Sequence, residues 1–132
     1  MSVGLLLVTH EKIGEQILAA ARTAMGEPLP NAALCVSPDS PPERISAAVA
    51  AEIQRLDQGD GVLVLCDLYG ATPCNRVCIA RTPCIRIVTG CNLPMVLKVF
   101  NYARLDLRRL ADKALEGGRA GIFEVAPQGN SD

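Results

Sequence analysis

Four short, largely apolar runs, two of them unbroken, alternate with stretches of helical periodicity and limit what this chain can fold into. They are Val3–Val8, Ala32–Val36, Val62–Cys66 and Cys84–Thr89. A run without polar alternation belongs to a strand covered on both faces. Between the runs, Glu11–Met25 reads as a helix with Ile13, Ile17, Ala21 and Ala24 inward, ended by Gly26 and Pro28. Ser40-Pro41-Pro42-Glu43 reads as a capping box with proline at the first helical position. The helix it opens carries Ile45, Val49, Ile53 and Leu56 on one face. Thr72-Pro73 opens a short third helix through Arg81, which Pro83 stops. Asn92 caps a helix over Leu93–Ala103, and Asp106 caps another with Leu107, Leu110, Ala111 and Ala114 inward, ended by Gly117-Gly118. Arg119–Val125 reads as a last, weakly patterned strand, placed at a sheet edge or paired outside its own subunit. Strands separated by helices imply an α/β fold: one doubly wound sheet of four parallel strands, with the last strand antiparallel at its edge.

The 132 residues suit one domain, expected over 1–126, with a polar tail at 127–132. Hydrophobic residues make up 49% and aromatic ones 3%, so the core is aliphatic and no platform for stacking bases exists. Thirteen basic and 14 acidic residues leave a net charge of −1, which gives nucleic-acid binding no support. No apolar run approaches a membrane span, and the N-terminal run is too short and lacks the basic flank of a signal peptide. A cytoplasmic protein without membrane insertion is expected.

The six cysteines, Cys35, Cys66, Cys74, Cys78, Cys84 and Cys91, form no C-x-x-C pair. Their spacings do not match a structural zinc site, so they read as small core residues, with Cys35 and Cys66 inside strands. No metal and no cofactor are expected.

Polar residues gather at the carboxyl ends of the strands, where parallel sheets place their chemistry. His10, the single histidine, falls two residues past the first run. Asp67 follows the third run, and Thr89-Gly90 ends the fourth. An unprotonated imidazole is a nucleophile, and a carboxylate bonded to one ring nitrogen fixes the tautomer and leaves the other nitrogen bare. Such a nitrogen can accept a phosphoryl group and pass it on. The loop Gly70-Ala71-Thr72-Pro73, at a helix start, offers backbone N–H groups and a hydroxyl to phosphate oxygens. Each signal has an ordinary structural reading as well: a lone histidine, a turn aspartate, a helix cap. Their shared edge favours a site.

Three stretches, LLVTHEKIGEQIL, VLVLCDLYGATPCN and IVTGCNLPMVLK, resemble the mannose-family IIA component of the bacterial phosphoenolpyruvate-dependent sugar phosphotransferase system. The resemblance covers about Ser2 to Val125. It implies that His10 accepts a phosphoryl group from the phosphocarrier protein HPr and hands it to a IIB protein or domain. It implies that Asp67 orients His10 and that Thr72, with Gly70 and Ala71, holds the phosphate. Thr9, Asn75, Asn92, Pro94 and Met95 match positions beside the site. The family forms homodimers and can exchange its last strand between subunits. Two positions depart from the family: Ala71 stands where a second glycine is usual, and Thr72 where serine is. No IIB unit is read after residue 126, and stand-alone IIA proteins are also associated with regulation.

Other readings compete. One is a binding module switched by phosphorylation of His10, with no onward transfer. The family serving dihydroxyacetone kinase also uses a histidine after the first strand, but lacks the G-[GA]-[ST]-P-x-N pattern. A flavin or nucleotide binder wants a Gly- or Ser/Thr-rich loop where Thr9-His10-Glu11-Lys12 stands. A cysteine hydrolase pairing His10 with Cys66, Cys74 or Cys91 lacks an oxyanion motif.

Overall fold

Leucines and valines that cannot all face one side of a strand are accommodated by covering both sides. In the computed structural model, which describes residues 2–68 and 84–127, β1 (Gly4–His10), β2 (Asn31–Val36), β3 (Val62–Cys66) and β4 (Ile85–Thr89) form one parallel sheet. The strand order is β2-β1-β3-β4. β1 pairs with β2 from Leu5↔Asn31 to His10↔Val36, and with β3 from Gly4↔Val62 to Val8↔Cys66.

The helices are α1 (Ile13–Met25), α2 (Pro42–Leu56), α3 (Leu93–Asn101) and α4 (Leu107–Ala120). Leu5, Leu7, Leu63, Leu65 and Val88 pack on one side of the sheet with Leu18 and Ala21 of α1, with Val96, Val99 and Phe100 of α3, and with Leu110 and Ala114 of α4. Leu6, Val8, Val62, Val64 and Cys66 pack on the other with Ile45, Val49, Ile53 and Leu56 of α2. The chain leaves β1 for β2 on one side, then crosses back to β3 on the other. With right-handed crossovers, α1 and α2 must then lie on opposite faces. The sequence order reverses between β1 and β3, which makes a crevice at their carboxyl ends.

Several expectations are corrected. β1 runs through His10, because its ladder with β2 continues to Val36 and the buried hydroxyl of Thr9 is satisfied by the Gly14 N–H. The inner stripe of α1 is Gly14, Leu18 and Ala21, with Ile17 partly buried; Ile13 is 44% exposed and Ala24 is exposed. Gly14 sets this rotation, since it lies close enough to β1 that a Cβ would stand 3.1 Å from the Leu7 Cβ. The Ser40 box does not form: Pro41 takes the cap position with no side-chain bond, and its carbonyl accepts from Arg44 and Ile45 N–H. Gly117 and Gly118 do not end α4. They are buried where it crosses α3, and a Cβ on Gly117 would stand 2.4 Å from the Lys98 Cβ. Arg119 and Ala120 are therefore helical, and 121–127 form no strand. Among the described residues no strand takes up this segment, and Ile122, Phe123 and Val125 are exposed. Cys35 is exposed, because β2 is an edge strand. The expected helix over Thr72–Arg81, with Cys74 and Cys78, lies outside the described residues, as do residues 128–132.

Candidate functional site

β1 and β3 end side by side, and this brings His10 and Asp67, 57 positions apart, into contact. The His10 backbone N–H donates to Asp67 Oδ2 at 3.0 Å, and Nδ1 lies 2.9 Å from the same oxygen. An ionised carboxylate only accepts, so Nδ1 carries the proton and Nε2 bears the lone pair. The imidazole is 39% exposed and the carboxylate 13%. Burial pushes the Asp67 carboxyl up, but the backbone and ring hydrogen bonds from His10 outweigh it and hold it below the ordinary value of 3.8. Asp67 Oδ1 is buried with no hydrogen-bond partner among the described residues, and both bonds from His10 go to Oδ2.

The turn after His10 is tight. Glu11 takes φ +47, in the left-handed region, and its N–H donates to the Val36 carbonyl at 3.1 Å. Lys12 precedes α1 without a side-chain cap, and Thr9 Oγ1 accepts the Gly14 N–H at 2.7 Å instead. Across the crevice, Gly90 at φ +81 turns the chain out of β4, and the Cys91 N–H donates to the Cys66 carbonyl at 2.9 Å. Cys91 thus lies beside Asp67. Burial, and then the Asp67 charge, push its thiol up to about 12. A thiol that remains protonated is a poor nucleophile, which counts against a hydrolase built on Cys91.

The second loop is built into the α3–α4 contact. Asn92 Oδ1 accepts the Met95 N–H at 2.9 Å, capping α3, and its Nδ2 donates to the Gly118 carbonyl at 3.2 Å. Met95 is buried against Gly118, and the exposed Pro94 lies against Gly121. Gly70, Ala71, Thr72 and Asn75 lie outside the described residues. Two residues were not singled out from sequence. Glu11 shows no signal, because glutamate is uncommon at positive φ. Gly14 hides inside a helix. Cys91 was named only as a candidate nucleophile, and its place beside Asp67 was not read.

Residues 4–115 match the family model of the mannose-type IIA components, described as "PTS system fructose IIA component". The chain belongs to this family. It is 28% identical over 128 residues to the mannose-specific EIIAB component of the phosphotransferase system of Escherichia coli K12. That match takes in 92% of this chain and 39% of the relative, so the IIA chain spans well under half the length of the curated relatives it matches. It superposes on the mannose/sorbose-specific IIA subunit of Enterococcus faecalis with a TM-score of 0.85 at 27% identity, over 96% of this chain and 97% of that one. The Streptococcus agalactiae EIIA structure, at 21% identity, shares the fold with a TM-score of 0.79, over 92% of this chain and 96% of that one. Among the described residues, no helix of this IIA protein is long and apolar enough to cross a membrane, and no group of three or more His, Cys, Asp or Glu is arranged to hold a metal.

Proposed function

We propose that this IIA component is a cytoplasmic phosphohistidine relay in which His10 accepts a phosphoryl group at Nε2 from HPr and passes it to a IIB protein. One observation carries the reading: both donors of His10 go to a single oxygen of Asp67, at the point where strand order reverses. The Nε2 lone pair attacks phosphorus, a P–N bond forms, and the donor's bond to phosphorus breaks. The Nδ1 proton stays against Asp67, which stabilises the positive imidazole. Phosphoryl transfer asks chiefly for positioning and charge stabilisation, so no cofactor is needed. Gly70, Ala71 and Thr72 would surround the transferred group, with Asn75 beside them. This assignment is supported by the loop sequence and the family membership. Pro94, which is exposed, and Thr9 border the same edge.

The exposed apolar segment Ile122–Val125 is the part we assign to a homodimer, as the strand that one subunit lends to its partner. We assign this function to a domain over residues 1–126.

The test of the relay adds HPr, enzyme I and phosphoenolpyruvate, then a IIB protein, and follows the phosphoryl group by phosphate-affinity gel. Appearance of phospho-IIB, abolished in His10→Gln, supports the relay. A phosphorylated IIA protein that never discharges to any IIB would replace the relay with a regulatory module.

A further inference from the structure

The turn carrying His10 is held from inside. Thr9 is the fully buried polar side chain of the described core. Its Oγ1 takes the N–H of Gly14, the second residue of α1, which belongs to the helix's otherwise unpaired first donors. Between these two residues lies Glu11 in the left-handed region, a strained conformation for a residue with a Cβ. The reversal from β1 into α1 is thus closed by two bonds, Glu11 N–H to the Val36 carbonyl and Gly14 N–H to Thr9 Oγ1. There is no slack at the second: a Cβ on Gly14 would stand 3.0 Å from Thr9 Oγ1. Water has no access to replace the hydroxyl. Release of this bond leaves the strain at Glu11 free to relax, and relaxation turns the peptide that follows His10.

We propose that Thr9 is a positioning residue for the phosphoryl acceptor: its hydroxyl clamps α1 to the end of β1 and keeps the His10 imidazole on Asp67 Oδ2. The proposal rests on His10 being the acceptor. His10 is aimed by two bonds to one oxygen, at 3.0 and 2.9 Å, and both start on the residue after Thr9. A small backbone rotation therefore cannot keep both.

The test compares Thr9→Ser, which keeps the hydroxyl, with Thr9→Val and Thr9→Ala, which remove it. His10 is the sole histidine, so the imidazole ¹⁵N spectrum reports its tautomer without overlap. Thr9→Val and Thr9→Ala are expected to lose the single Nδ1–H tautomer and to accept phosphate roughly ten- to a hundredfold more slowly, as misaimed groups do. Thr9→Ser is expected to keep the wild-type tautomer and rate. Folded Val and Ala variants with wild-type tautomer and rate would overturn the proposal. So would a Ser variant as slow as they are, which would make the methyl group the important part. If both deletions fail to fold while Ser folds, Thr9 is a stability residue and the positioning role is also overturned. A wild-type protein that takes no phosphate would refute the acceptor reading, while the tautomer comparison would still decide the clamp.

Discussion

At the residue scale, the account turns on one carboxylate oxygen that receives two hydrogen bonds from one histidine. Asp67→Ala removes the acceptor that fixes the tautomer and should slow phosphorylation by HPr about tenfold or more; an unchanged stopped-flow rate would reduce Asp67 to a turn residue. The same contact carries a pH signature. The folded-state pKa of Asp67 is depressed, so its stabilising contribution is present above the ordinary value of 3.8 and is lost as pH falls through the folded value. The thermal midpoint of wild type should exceed that of Asp67→Asn at neutral pH. The gap should close as the solution is taken below the carboxylate range, and a pH-independent gap would contradict the linkage. Both partners were legible in the sequence, because each lies at the end of an apolar run and parallel strands share an edge. The ring contact was legible as a possibility of that shared edge, but the second bond, from the His10 backbone N–H, was not. It depends on β1 continuing through Thr9 and His10, and that depends on the Thr9 hydroxyl finding a donor in Gly14.

At the element scale, periodicity served where one face is plainly apolar. Ile45, Val49, Ile53 and Leu56 of α2 are all buried, and Asn92 and Asp106 cap α3 and α4 with their side chains. It failed where glycine does the packing. Gly14 turned the inner face of α1 away from Ile13, and Gly117-Gly118 read as a stop although they mark a helix crossing. A glycine needed for closeness and a glycine needed for a cap look alike until the neighbouring helix is known. Gly117→Ala should therefore lower stability by about 1–3 kcal/mol through overpacking against Lys98. An alanine that raised helix stability, as it would at an exposed site, would show that α3 and α4 are not in close contact. Asn92→Ala removes a cap and a bond to α4 and should cost about 1 kcal/mol or somewhat more in urea unfolding.

At the scale of the whole molecule, the sheet and its two covered faces were legible because continuous apolar runs have few other uses. The last segment was not, because Arg119 to Val125 lacks clean alternation and no described strand pairs with it. Removal of residues 121–132 should leave the core intact and yield a monomer by light scattering. A dimer that survives the truncation would move the subunit interface elsewhere.

The central claim is that His10 is the acceptor. It is tested most directly by intact mass and ³¹P spectra after incubation with phosphoenolpyruvate, enzyme I and HPr, for wild type and His10→Ala. One acid-labile phosphoryl group, on Nε2 of the wild type alone, is the predicted result. A phosphoryl group on the folded His10→Ala protein, or none on either, would contradict the account.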